Sequence, residues 1–303
     1  MKTKSELDRV AAAFEERASR AELLAEASDA ARSPLEFAAG LYRAQGALAG
    51  AIASEHQRRA LTGRLDLDAA RFVDAMRGLL RFASETSPAE LAAVARDRAE
   101  EEPTLLCSRL ASSWAGKTVG HVDYLSRALL RPYLEVLAAL RIRPGEVTPA
   151  DGPVSGRSGS PPADSRAERC PFCGGPPWIA ARRGATGSPP ADGLVSGPSG
   201  PPPADGAQRF LGCALCGGQW AVNRLGCPVC SEQNPDKLPC FRSDRHPTAR
   251  IEACETCRSY VKSLDLTEDG RLIPEVDDLV SVAMDLWASE EGFTRIEPGL
   301  AGV

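Results

Sequence analysis

Arg209 to Cys230 reads RFLGCALCGGQWAVNRLGCPVC. It holds two Cys-x-x-Cys turns, Cys213/Cys216 and Cys227/Cys230, with 10 residues between them. Such a turn aims two thiols at one point in space, about the bite that a tetrahedral metal needs. The pattern repeats on both sides. Cys170/Cys173 lies 39 residues upstream and Cys254/Cys257 lies 23 residues downstream. Eight of the 10 cysteines are so used. Four turns supply ligands for two four-sulfur sites, so the C-terminal half is expected to fold around metal.

The flanking residues sharpen this. Cys173 and Cys216 are each followed by two glycines, whereas Ser231 and Arg258 follow Cys230 and Cys257. The residue after the second cysteine often takes positive φ, which glycine adopts without steric cost. The first two knuckles are therefore expected to be tighter than the last two. Consecutive sharing gives one site from Cys170, Cys173, Cys213 and Cys216 and another from Cys227, Cys230, Cys254 and Cys257, each a small ribbon. A crossed sharing, first turn with third and second with fourth, is the less favoured alternative. Thiolate-only ligation suits Zn or Fe, and two metal ions per chain are expected. Cys107 reads as a small packed apolar residue and Cys240 as core, with a spare thiol as its alternative. His246 reads as a polar loop residue.

The remaining sequence divides around these turns. Residues 1–145 carry helical stripes: Leu7, Val10, Phe14, Ala21 and Leu24; Phe37, Leu41, Ala44, Leu48 and Ile52; Phe72, Val73, Met76, Leu79 and Leu80. A helical bundle is expected there. Ser87-Pro88-Ala89-Glu90 has the form of a capping box. A last helix is expected from about His121 to Leu140, kinked or restarted at Pro132. Residues 146–168 are a Pro/Gly/Ser linker expected to be disordered. A near copy of it, DGLVSGPSGPPPAD at 192–205, marks a disordered insertion at about 184–207. The metal-bearing domain spans 169–303. It closes on a strand around Val261 to Leu266 and an acidic helix around Val276 to Trp287. Residues 258–303 hold four basic residues against ten acidic ones.

Composition excludes several classes. The net charge of −5 offers no pull toward nucleic acid or acidic membranes. No run approaches the roughly 18 apolar residues of a membrane span, and the N-terminus has no signal-peptide pattern, so the chain reads as cytoplasmic. A reducing compartment favours metal over disulfides. No phosphate loop, dinucleotide fingerprint, nucleophile elbow or His-Glu-x-x-His motif is present. A closed four-cysteine site has no open position at which to activate water. No catalytic residue is assigned, and the chain reads as a non-enzyme. The alternatives are a zinc-ribbon nucleic-acid module and a one-electron carrier.

Beyond spacing, the flanking residues carry a resemblance. CPFCGGPP at 170–177, the 209–230 stretch, CETCRSYVK at 254–262, PEVDDLVSVAMD at 274–285 and EGFTR at 291–295 are similar to the formate dehydrogenase accessory protein family, FdhE. Excluding the linker copy, the likeness covers about 120 residues. It implies an α+β architecture: an all-α N-terminal domain, then a rubredoxin-like domain with two four-cysteine sites bearing iron or zinc. It implies a cytoplasmic maturation factor that binds the molybdopterin-containing catalytic subunit of a respiratory formate dehydrogenase before export; a homo-oligomer is kept as a further expectation. Asp277 and Asp278 are candidates for docking a basic patch of that client, or else solvated residues at a helix start.

Overall fold

The structure, a computed structural model, describes residues 2–114, 123–145, 168–184 and 207–302. The linker apart from Glu168, and the repeated segment at 192–205, lie outside the described residues. The chain divides into two compact units, Met1–Gly152 and Pro153–Val303.

The first unit is helical. Helices α1 (Lys2–Ala27), α2 (Arg32–Arg58), α3 (Leu65–Asp68), α4 (Val73–Thr86), α5 (Ala89–Ala99), α6 (Pro103–Trp114) and α7 (Tyr124–Ala139) follow one another. α2 packs against α1, α4 and α7, and its stripe is correspondingly wide: Leu35, Ala38, Leu41, Tyr42, Leu48 and Ile52 are all buried. Phe14, Met76, Leu80 and Tyr133 fill the space around it. The capping box does not form. The Ser87 hydroxyl donates back to Ala83 O at 2.6 Å, and Pro88 takes the cap position without a side-chain bond.

Helix α7 runs through Pro132. Proline has no N–H, so the carbonyl four residues earlier, Ala128, loses its helical donor. Gln45 of α2 replaces it: its Nε2 donates to Ala128 O at 2.9 Å, and the glutamine is buried for that purpose. Asp68 is likewise buried, and accepts from Thr62 N, Gly63 N and Tyr133 Oη. It ties the α2–α3 turn to α7.

The second unit is one seven-stranded mixed sheet covered by a C-terminal helical segment. Strands β1 (Pro177–Gly184), β2 (Ala207–Cys213), β3 (Gln219–Val222), β4 (Cys240–Ser243), β5 (His246–Ala253), β6 (Ser259–Asp265) and β7 (Thr294–Arg295) order as β3-β2-β1-β6-β5-β4, with β7 on β6. β1–β6 and β6–β7 are parallel; the rest are antiparallel. The two separate ribbons expected from spacing are thus fused through the parallel pair, in the register Ile179↔Lys262 to Arg182↔Asp265. Gly184 pairs with Ala207, so residues 185–206 connect the two closed ends of a hairpin.

The helical stripe near the C-terminus is α8 (Pro274–Asp277), a 3-10 turn at Asp278–Ser281, and α9 (Val282–Glu290). It packs Met284 and Ala288 onto a core of Trp178, Ile179, Ile251, Tyr260 and Leu264. Asp277 and Asp278 are buried, with 5% and 1% exposure, so neither docks a client nor faces solvent. Asp277 Oδ2 accepts from Ile273 N, the residue before α8, at 2.8 Å. Asp278 Oδ1 lies 3.0 Å from Lys262 Nζ and 2.7 Å from Arg295 Nη2. Asp285 accepts from Lys262, from Tyr260 Oη at 3.0 Å and from Arg295 Nη1 at 3.2 Å. Two cations and two carboxylates thus neutralise one another inside the core, which is the condition for burying either.

Candidate metal centres

Each Cys-x-x-Cys turn closes in the same way. The N–H after the second cysteine donates to the carbonyl of the first: Gly174 to Cys170 at 2.9 Å, Gly217 to Cys213 at 3.2 Å, Ser231 to Cys227 at 3.0 Å, Arg258 to Cys254 at 2.8 Å. The first cysteine's N–H then donates two residues past the second: to Gly175, Gly218, Glu232 and Ser259, all at 2.9 Å. All four pivot residues have positive φ: Gly174 +74°, Gly217 +67°, Ser231 +60° and Arg258 +56°. The expected difference in tightness between glycine and non-glycine knuckles is absent. It reappears as backbone strain, roughly 1–2 kcal/mol for each non-glycine residue in the left-handed region. At Arg258 the side chain offsets it, stacking 3.8 Å over the Phe293 ring and bonding to Glu291 O and Glu255.

The sheet brings the knuckles together consecutively. Cys170, Cys173, Cys213 and Cys216 form cluster one; Cys227, Cys230, Cys254 and Cys257 form cluster two. Within each, all four sulfurs lie within 4.8 Å of one another. The nearest approaches are Cys170–Cys216 3.6 Å, Cys173–Cys213 3.4 Å, Cys227–Cys257 3.6 Å and Cys230–Cys254 3.6 Å. Tetrahedral zinc with Zn–S near 2.3 Å requires roughly 3.8 Å between sulfurs, so both clusters fit such an ion. The crossed sharing is excluded by this geometry.

Position in the sheet explains the assembly. Knuckle one leads into β1 and knuckle two joins β2 to β3; knuckle three follows β3 and knuckle four joins β5 to β6. β1 and β6 are parallel, so both clusters sit at the same end of the sheet. Backbone bonds lash the knuckles together: Ala214 N to Pro176 O at 3.0 Å in cluster one, Glu255 N to Lys237 O at 2.9 Å beside cluster two. In cluster two, Thr256 also donates to Glu232 at 2.7 Å. Glu168 N donates to Pro228 O at 2.8 Å, linking the entry to knuckle one with knuckle three.

The electrostatics call for a cation. Amides point at sulfur: Leu215 N and Gly218 N in cluster one, Val229 N in cluster two. Hydrogen bonds from Cys173, Cys213 and Cys216 pull the Cys170 thiol far down. Burial pushes Cys213 far up, and the bond to Cys170 does the same for Cys216. Burial raises Cys227 and Cys230. Burial also opposes ionisation of Cys257, but hydrogen bonds from Ser259, Cys227 and Cys230 together outweigh it and hold that thiol low. Four thiolates gathered within 4.8 Å repel one another, and a metal ion is what would neutralise them. Cluster one is the more enclosed, with three of its cysteines buried; Cys230 of cluster two is exposed.

The other candidates lie elsewhere. Cys107 is half-buried in α6. Cys240 is exposed at the start of β4, not core. His246 opens β5.

Residues 226–300 match the family described as FdhE, C-terminal domain. The FdhE resemblance stands. The chain is 38% identical over 94 residues to Protein FdhE homolog of Aquifex aeolicus, covering 31% of this chain and 33% of that one. It is 31% identical over 136 residues to the FdhE homolog of Pseudomonas aeruginosa, covering 43% and 38%. The matched stretches thus span well under half of these relatives. The crystal structure of the FdhE protein from Pseudomonas aeruginosa aligns over 95% of this chain and 94% of its own, with TM-score 0.63 and 21% identity. That likeness establishes the FdhE fold for both units.

Proposed function

We propose that the eight cysteines ligate two metal ions, iron or zinc, and that the chain is a formate dehydrogenase accessory protein. Its role is then to bind the catalytic, molybdopterin-bearing subunit in the cytoplasm and assist its assembly before export, without catalysing a reaction itself. The supporting observation is the pair of complete four-sulfur clusters in an FdhE-like chain. Four protein ligands around one tetrahedral ion leave no position for substrate, which suits a rigid binding platform. When bound, the ions supply folding energy and neutralise the thiolates. The chain's own residues do the rest: the knuckle amides orient sulfur and the parallel β1–β6 pair holds both knuckle pairs at one end of the sheet.

Affinity capture tests this. The tagged chain, expressed in cells that make a respiratory formate dehydrogenase, should enrich its catalytic subunit. The absence of that subunit from the capture, with its expression verified, would refute the reading.

A one-electron carrier is the second reading, favoured by the exposure of Cys230 at cluster two. It requires iron. Visible absorption that bleaches with dithionite and returns in air would support it, and a colourless zinc protein as isolated from cells would rule it out. Among the described residues, no helix is long and apolar enough to cross a membrane.

A further inference from the structure

The helical unit gathers positive charge at one end. The stretch from the last turn of α2 through α3 carries Arg58, Arg59, Arg64 and Arg71, and the chain leaving α7 carries Arg141 and Arg143. The two segments touch. Gly145 N donates to Gly63 O at 2.9 Å, and a Cβ on Gly63 would lie 2.5 Å from Arg143 O. Six arginines thus stand against three carboxylates, Glu55, Asp66 and Asp68. Elsewhere in residues 1–145 there are 15 basic and 17 acidic residues, so the surplus is local.

Most of these groups are occupied. Arg71 closes the C-terminus of α2, donating to Glu55 O at 2.7 Å and Arg59 O at 2.5 Å. Arg58 pairs with Glu55 at 2.7 Å and Arg64 with Asp66 at 2.6 Å. Asp68 is buried and serves Thr62, Gly63 and Tyr133. Arg59 and Arg141 remain. Both are exposed, and among the described residues neither side chain has a hydrogen-bonding or ionic partner.

Arg141 is also strained. It ends α7 in the left-handed region, φ +57°, with Arg141 N on Ala138 O at 3.0 Å and Ile142 N on Leu137 O at 2.9 Å. Glycine is the residue that fits such a helix end. Arg258 holds the same conformation, but its side chain is stacked and bonded. Arg141 gains only the weak attraction of a cation for a helix C-terminus. Strain kept without an internal contact to offset it points to a contact outside. Leu67, 54% exposed and one helical turn from both Arg64 and Arg71, adds an apolar anchor.

The partner's chemistry follows. Phe72 and Tyr133, the aromatic residues beside this end, are buried and offer no platform for stacking bases. The near-balanced charge of the remaining unit offers no stripe for a phosphate backbone. Forked guanidinium groups beside one leucine fit a carboxylate-bearing protein surface. We propose that this end of the helical unit docks an acidic patch of the formate dehydrogenase catalytic subunit. Arg59 and Arg141 pair its carboxylates, and Leu67 packs against an apolar side chain. The partner's identity rests on the functional reading above.

The test measures binding of the purified catalytic subunit to the metal-loaded full chain at physiological ionic strength. Arg59→Glu with Arg141→Glu should weaken binding about tenfold or more. Arg81→Glu with Arg96→Glu makes the same change in net charge at two exposed arginines of α4 and α5, and should alter binding less than about twofold. Arg141→Gly relieves the strain while removing the cation. It should raise the melting midpoint by about 2–4 °C and yet weaken binding about threefold. Equal weakening by the two reversed pairs, parent-like binding by Arg141→Gly, or displacement of the subunit by an equimolar single-stranded oligonucleotide would each overturn the proposal. A parent chain that fails to bind the subunit sinks the functional reading and this surface together. Parent binding that survives Arg59→Glu with Arg141→Glu sinks the surface alone.

Discussion

Gly174 and Gly175 stand side by side after Cys173 and serve different needs. Gly174 has φ +74°, and a Cβ there would meet nothing within 4 Å, so its requirement is purely conformational. A Cβ on Gly175 would lie 2.8 Å from Cys213 Sγ and 3.1 Å from Leu215. Gly174→Ala should therefore cost roughly 1–2 kcal/mol of stability with metal affinity nearly unchanged. Gly175→Ala should instead weaken metal binding at cluster one by about tenfold or more, since the sulfur must move. Competition with a chromophoric chelator separates the two, and equal affinities in both variants would contradict this account. The buried tetrad permits a sharper experiment. Lys262→Met strands Asp278 and Asp285 without one of their two cations and should destabilise the second unit by about 3–5 kcal/mol. An unfolding free energy from denaturant titration within about 0.5 kcal/mol of the parent, the size of a surface effect, would show that the network is dispensable.

Helices and knuckles show what was readable and what was not. Phe72, Val73, Met76, Leu79 and Leu80 were legible as a stripe, and all five are buried, because a 3.6-residue period is written locally. The knuckles were legible for the same reason. Ser87 was misread because its hydroxyl has a closer acceptor in the helix it ends than in the helix it precedes. Asp277 and Asp278 were misread because a helix start looks exposed in isolation. Their burial comes from Lys262 on a strand and Arg295 beyond α9, which no local pattern reveals. Gln45 belongs to this group: only the fold shows that it answers for Pro132. Gln45→Leu should cost about 1–3 kcal/mol by orphaning Ala128 O. Pro132→Ala restores an N–H to that carbonyl, so the double variant should lose most of this penalty. Additive losses in a thermodynamic cycle would show the glutamine to have another role.

For the molecule as a whole, the parallel β1–β6 pair was the least visible feature, since its strands lie some eighty residues apart with no motif marking them as neighbours. It joins what read as two ribbons. The clusters should nonetheless load separately, because each knuckle pair has its own strands: Cys257→Ser should lower the metal content from two ions per chain to one, measured by elemental analysis. A fall to none would mean that the sheet cannot hold cluster one alone. The hairpin closed by Gly184 and Ala207 predicts tolerance in the intervening segment. Replacing residues 186–205 by Asn-Gly should leave both ions bound and raise stability by roughly 1–1.5 kcal/mol through the shorter loop. Loss of either ion would contradict that.

The same parallel pair sets a schedule for synthesis. Strands β1 to β3 and all four sulfurs of cluster one precede Cys227, whereas β6, which covers the free edge of β1, comes some forty residues after β3. At roughly 5–20 residues per second the nascent chain leaves that edge bare for about 2–8 s. An unpaired edge is a template for wrong partners, and early capture of the first ion fixes the strand before its neighbour exists. Cells short of metal should accordingly accumulate this chain as aggregate rather than as folded apoprotein.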